Sequence, residues 1–185
     1  MTIYFTASLR GKPALEAYYQ RIVNHLVQRG HIVIADQILK HTSDDVSHQS
    51  QKERLEYFHE VEQWLGECDC VVAEISHRSV SVGYEISRAQ HRKKPILILY
   101  RDCTPPTLLA YQPDESVVCE KYTDTNLESV LDDFLQYTEG THDTRFTFFI
   151  RPDLTAHLEE QARKNHTTKS GYLRSLIQSD IQAPH

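Results

Sequence analysis

No run of about 18 apolar residues occurs in the sequence, so no membrane-spanning helix is expected. No basic segment leading into an apolar stretch precedes the first strand pattern, so a cytoplasmic protein without a secretory leader is expected. Cysteine is scarce: Cys68, Cys70, Cys103 and Cys119, with no C-x-x-C pair. That argues against a disulfide framework and for buried free thiols in a reducing compartment. The eleven histidines form no H-E-x-x-H and no paired Cys/His spacing, so neither a metal nor a cofactor is expected. What is present is the composition of a soluble globular protein. Its 185 residues suit one good domain, or one domain plus a small module.

Charge divides along the chain. From Arg145 onward six Lys/Arg face four Asp/Glu, whereas residues 1–144 hold fourteen against twenty-two. An acidic body and a slightly basic tail argue for two modules with different partners.

The most informative stretch is Asp69-Cys-Val-Val-Ala-Glu-Ile-Ser-His-Arg-Ser-Val-Ser-Val-Gly-Tyr-Glu-Ile-Ser-Arg88. Val71, Val72, Ala73 and Ile75 read as a buried strand, residues 76–83 as a small-residue turn, and a helix is expected after Gly83. Such a junction leaves backbone N–H groups free for an anion at the positive end of the helix dipole. Ser79 and Ser81 add hydroxyl donors. Glu85, placed in the first helical turn, is expected to favour its ionised form, as a carboxylate nucleophile requires. The same pattern also fits plain strand-end residues, with Glu85 and Arg88 as an i,i+3 surface pair.

The rest of the chain alternates strands and helices. Thr2–Ala7 reads as a first strand; Pro13 opens a helix carrying Leu15, Tyr18, Tyr19, Ile22, Val23 and Leu26 at helical spacing, and Gly30 stops it. Residues 31–35 are a second strand, and residues 37–51 a polar loop over the strand ends. Residues 50–66 form a helix with Leu55, Phe58, Val61 and Leu65 inward and Trp64 partly so. Residues 94–100 and 116–122 complete five strands, and residues 126–137 form an amphipathic helix. That alternation predicts an α/β fold with a parallel sheet. Ligands in such sheets sit beyond the strands' C-terminal ends, and Ser8, Arg10, Ser79, Glu85 and Thr107 all map to that edge. Arg10 suits a bidentate grip on an oxyanion, or else simply closes a loop.

Boundaries are expected at 1–138 for the body, 139–144 for a linker and 145–185 for the tail. The tail reads as one short strand and two helices. At about forty residues it cannot bury its apolar face alone, so it is expected to dimerise or dock on the body.

Residues 2–137 resemble the nucleoside 2-deoxyribosyltransferase superfamily, most closely its 2'-deoxynucleoside 5'-phosphate N-hydrolases. The resemblance rests on Ile3-Tyr-Phe-Thr-Ala-Ser-Leu-Arg-Gly11, Trp64-Leu-Gly-Glu-Cys-Asp-Cys-Val-Val-Ala-Glu-Ile-Ser76 and Ser79-Val-Ser-Val-Gly-Tyr-Glu-Ile-Ser-Arg-Ala89. It implies a flavodoxin-like five-stranded parallel sheet with helices on both faces, and a homodimer. It implies cleavage of the N-glycosidic bond of a nucleoside 5'-monophosphate through a covalent glycosyl-Glu intermediate. Glu85 then matches the nucleophile and Tyr4 a Tyr near the sugar. Ser8, Arg10, Ser79 and Gly83 match the phosphate and substrate contacts, and Thr107 a residue lent by the neighbouring subunit. The chain departs from the pattern at Ala7, usually Gly, and at Val61, where the family carries a catalytic Asp. Glu60, brought round by a local bulge or shift, is the expected replacement; the alternatives are that the general acid is missing or comes from elsewhere, such as Asp36 or His59. Alternative functions are a nucleoside 2-deoxyribosyltransferase, or a nucleotide sensor controlling the tail.

The tail resembles ribbon-helix-helix proteins through Arg145-Phe-Thr-Phe-Phe-Ile-Arg-Pro-Asp-Leu and Thr168-Lys-Ser-Gly-Tyr-Leu. In that fold two strands pair into a ribbon that enters the major groove of duplex DNA. Phe146, Phe148 and Ile150 are expected inward, and Arg145 and Thr147 toward bases. Lys169 and the N–H groups at Ser170 are expected to hold phosphates. Pure dimerisation is the alternative, and the full assembly is expected to be a dimer or a tetramer.

Overall fold

The computed structural model describes residues 1–104, 107–110, 114, 116–140, 150–165 and 167–182. The chain divides into two compact units, Met1–Tyr122 and Thr123–His185.

The first unit carries five strands: β1 (Thr2–Ala7), β2 (Ile32–Ile34), β3 (Cys70–Glu74), β4 (Ile96–Tyr100) and β5 (Val117–Lys121). They lie in the order β2-β1-β3-β4-β5, and every neighbouring pair is parallel. This is the expected flavodoxin-like order, with the chain reversing direction across the sheet between β1 and β3. A crevice opens at that switch point, beyond the strands' C-terminal ends.

Strand alternation decides which side chains reach that crevice from each face. Tyr4, Val71, Ala73, Ile96, Ile98 and Val117 pack in one apolar cluster. Val61 and Leu65 of α4 (Gln51–Glu67) and Val82, Ile86 and Ala89 of α5 (Val80–His91) complete it. The opposite face holds α1 (Lys12–Gln28), whose Tyr19 meets Phe5 edge-on with ring centroids 5.9 Å apart. Helices therefore cover both faces of the sheet.

Local signals fix the helix ends. Ser50 and Glu53 form a reciprocal capping box at the start of α4, as the spacing of Ser and Glu requires. Gly30 follows α1 with φ of +88°, a conformation glycine adopts without strain. Ser79 caps α5, so that helix begins four residues earlier than the expected start after Gly83. Gly83 consequently lies inside the helix.

Two other expectations are corrected. Residues 37–51 are not simply loop: α2 (Asp36–Leu39) and α3 (Ser43–Ser47) fall within or beside them, the latter under a Thr42–Asp45 capping box. Leu55 and Phe58 are exposed, because α4 presents its Val61–Leu65 side to the sheet instead. The angle between α4 and α5 is fixed by Glu62. Arg88 grips it with two hydrogen bonds of 2.8 and 2.7 Å, and Arg92 adds a third of 2.6 Å. Arg88 is thus committed to α4 and not to Glu85.

A short α6 (Thr107–Ala110) follows β4. The second unit comprises α7 (Leu127–Glu139), α8 (Pro152–Lys164) and α9 (Lys169–Gln182). Asp133 of α7 accepts from Thr168 and, at 3.0 Å, from Arg174, while Gln136 accepts from Arg174 at 3.0 Å. The tail helices are therefore tied to α7. The ribbon strand expected over 145–150 lies outside the described residues except for Ile150, which is exposed, as are Leu154, Leu176 and Ile177.

Gly11 marks a close approach of two loops at the crevice. A Cβ there would lie 2.5 Å from His77 Cβ and 3.0 Å from His77 Cγ. Gly11→Ala is expected to lower stability by about 1–3 kcal/mol in chemical denaturation. Added His77→Gly should restore most of it, whereas His77→Ala, which keeps its Cβ, should not.

Candidate active site

Glu85 points from α5 toward the crevice and is only 5 % exposed. Tyr4, on the same face of β1, donates its hydroxyl to Glu85 Oε2 at 3.1 Å. Thr6, two residues further along β1 and so on that face again, adds a second hydrogen bond. Burial pushes the Glu85 carboxyl above its ordinary range, and the bonds from Thr6 and Tyr4 only partly offset this. The expectation of a carboxylate favoured by the helix dipole is therefore corrected. Glu85 sits in the second turn of α5, beyond the first-turn groups, and desolvation dominates.

Tyr57 of α4 joins this cluster. Its hydroxyl lies against Tyr4, and it feels the charge of both Glu85 and Glu60, so burial and those carboxylates hold the phenol protonated. Tyr4 stacks on Trp64 with centroids 6.2 Å apart, and Tyr57 meets Trp64 edge-on at 6.4 Å. Tyr57 and Trp64 form one wall of a cavity of about 370 Å³, whose lining also includes Leu9, Gln37, His41 and Glu60, while Tyr4 lies buried behind Trp64. Gln37 is buried, and its Nε2 donates to the Phe5 carbonyl at 3.3 Å.

Val61, where the resemblance expects an acid, is buried in the apolar cluster beneath Tyr4. Of its neighbours, Glu62 is held by Arg88 and Arg92, whereas Glu60 lines the cavity. Asp36 lines it too.

The side of the crevice where a phosphate is expected is built on Ser8. This residue is buried, and its Oγ lies 3.0 Å from His77 Nδ1, joining the β1–α1 loop to the β3–α5 loop. Ser79 Oγ accepts from the Val82 N–H at 3.4 Å. Arg10 and Thr107 are exposed. Gly83 is exposed, and a Cβ there would meet nothing within 4 Å, so space does not demand glycine. Among the described residues, the Gly83 N–H donates to the Ser79 carbonyl at 3.2 Å in the first turn of α5, and no side-chain hydrogen bond or ion pair joins Arg10, Ser79 or Thr107 to Glu85 or to one another. The structure thus unites Tyr4 with Glu85 and places Glu60 in the adjoining cavity. Thr6, Gln37, Tyr57 and His77 are contributors the sequence reading missed. Period-two alternation along β1 marks Thr6, and i,i+4 spacing before Val61 marks Tyr57.

Glu74 is a second buried carboxyl, but it faces the α1 side. Its Oε1 accepts from the Ser76 N–H, the Ser76 hydroxyl and, at 3.1 Å, the Tyr122 hydroxyl. It braces the turn after β3.

Of the tail residues expected at DNA, Arg145 and Thr147 lie outside the described residues. Lys169 and Ser170 are exposed at the start of α9, where Lys169 pairs with Glu159 at 3.2 Å.

The family model for nucleoside 2-deoxyribosyltransferase matches residues 3–130. The chain belongs to this family. It is 32 % identical over 138 residues to a 5-hydroxymethyl-dUMP N-hydrolase of Tetraodon nigroviridis, covering 72 % of this chain and 96 % of that protein. It is 36 % identical over 104 residues to the Rattus norvegicus protein of the same name, covering 54 % of this chain and 61 % of that one. The solved structure of a Clostridium botulinum CMP N-glycosidase superposes with a TM-score of 0.52 at 16 % identity, over 71 % of this chain and 98 % of that one. At that identity the likeness establishes the fold.

The raised Glu85 carboxyl has a thermodynamic consequence. A group whose folded-state pKa lies above its unfolded value contributes stability that is complete below the unfolded value, about 4.5, and is lost as pH rises through the folded one. Glu85→Gln is therefore expected to raise the melting temperature at neutral pH. The gain should shrink toward zero as pH falls below the ordinary carboxyl range; a gain constant across pH would contradict this account.

Proposed function

We propose that this family member is an enzyme that hydrolyses the N-glycosidic bond of nucleoside 5'-monophosphates, releasing the free base. The observation that carries the reading is the buried Tyr4–Glu85 pair at the edge of an aromatic-walled cavity, at the sheet's switch point. Relatives named as N-hydrolases support the same chemistry.

In this reading Glu85 attacks C1' as the base departs, and water then releases the sugar phosphate from the glycosyl-Glu ester. Positive charge grows on the sugar in the transition state. A carboxylate kept from water answers that charge more strongly than a solvated one. Tyr4 and Thr6 orient Glu85. Ser8, Arg10 and Ser79, with the backbone amides beside them, receive the 5'-phosphate, and Thr107 of a second copy completes that subsite in a homodimer. Glu60 is the carboxyl facing the departing base.

Glu85→Ala is expected to abolish base release from a panel of ribo- and deoxyribonucleoside 5'-monophosphates while leaving saturable nucleotide binding. Unchanged turnover would remove Glu85 as nucleophile. Release from none of the panel by the unaltered protein, with tight binding of one, would favour a nucleotide sensor. Transfer of the sugar to an added base would favour a transferase.

For the tail, the alternation of residues 145–150 and the exposed apolar side chains of α8 and α9 support a ribbon-helix-helix homodimer. Duplex binding should then weaken steeply with salt and weaken again in Arg145→Ala. Dimerisation without any DNA retardation at low salt would reduce the tail to an assembly module.

A further inference from the structure

The lining of the cavity beside Glu85 is one-sided in charge. It includes four carboxylates, Asp36, Glu53, Glu56 and Glu60, and neither Lys nor Arg; His41 is the single lining residue able to become cationic. Three of the four are already engaged. Lys40 holds Asp36, Lys52 lies 3.6 Å from Glu56, and Glu53 accepts from the Ser50 N–H at 2.7 Å. Glu60 has no ion pair or hydrogen bond among the described residues. A second observation is independent of these acids. Gln37 lines the same cavity at 6 % exposure, its amide is oriented by the Phe5 carbonyl, and its Oε1 is buried with no donor among the described residues. The wall of Tyr57 and Trp64 supplies aromatic faces, which attract cations.

Set beside this is what the cavity lacks. Val61 puts a hydrocarbon side chain in the core under Tyr4, and the carboxyls lining the cavity are exposed. Among the described residues that line the cavity, no carboxyl is buried. A neutral base leaves poorly without a proton, whereas a base already cationic through an alkylated ring nitrogen needs none.

We propose that this site is suited to nucleoside 5'-monophosphates whose base carries a positive charge, such as ring-N-alkylated purines. The inference rests on the N-glycosidase reading and adds the class of base. The step balances without a proton donor. A Glu85 oxygen forms the C1'–O bond as the C1'–N bond breaks, and its electron pair neutralises the cationic ring. The base leaves uncharged. Water then adds hydroxide to C1', gives its proton to solvent and returns the Glu85 carboxylate. Glu60 and the aromatic wall hold the cation before the bond breaks.

Alkylated nucleotides are also intrinsically labile, so binding is the discriminating measurement. The full-length Glu85→Gln protein, an isostere that does not turn over, is titrated calorimetrically at mildly acidic pH with 7-methylguanosine 5'-monophosphate and with GMP, in ribo and deoxyribo forms. The methylated ligand should bind about tenfold more tightly. Adding Glu60→Gln should remove several-fold of that preference. The unaltered enzyme should release 7-methylguanine at the same mildly acidic pH, where the base is cationic, faster than it releases guanine from GMP. Equal affinity for the two ligands would overturn the inference, and release of base from ordinary nucleotides would show that the N-glycosidase reading survives it. If neither ligand binds and no nucleotide is cleaved, both fail together.

Discussion

Tyr4 and Glu85 meet across 3.1 Å in a place almost closed to water, and much of the first unit is arranged to make that contact possible. A carboxyl is retained in such a place only with hydrogen-bond partners, and two come from alternate residues of one strand. β1 must then lie next to β3, so that α5, which follows β3, overhangs Tyr4 and Thr6. α5 in turn needs a fixed rotation, which the apolar stripe of Val82, Ile86 and Ala89 supplies from below and the Glu62 fork from the side. Each layer of the fold constrains the next, down to one oxygen atom.

Replacement of an acid by Val61 shows how far such a site can be altered without losing its frame. A valine in this cluster adds apolar burial where a second carboxyl would add like-charge repulsion to Glu85. Glu60, the residue before Val61 on α4, is exposed and lines the cavity instead.

Much of this was legible in the residues alone. The five strands, their parallel arrangement and the place of Glu85 follow from short apolar runs, turn residues and one long family motif. Those signals act over a few neighbouring positions. What escaped was set by tertiary contact. The dipole argument for Glu85 is local, whereas the desolvation that overrides it comes from burial in the surrounding core, which the hydrogen bonds from Thr6 and Tyr4 only partly offset. Gln37 lay in a polar stretch that reads as loop, although Thr42-Ser-Asp-Asp45 carries a capping signal for a helix there. The inward side of α4 also resisted reading: Leu55 and Phe58 share the spacing of Val61 and Leu65 but fall outside the sheet's footprint. His77 could be paired with Ser8 only once two loops far apart in sequence were seen to touch.

Lys12 opens α1 and is buried, with its ammonium spent on the carbonyls of Leu39 and His41 at 2.7 and 2.9 Å. Its position, one residue past Gly11, makes it a bolt between the β1–α1 loop, which holds Ser8 and Gly11, and the segment from Asp36 to His41, which walls the cavity. With one ammonium joining the two, a displacement of that wall is carried into the first turn of α1. The compliance of the cavity is therefore borrowed from the stiffness of that turn.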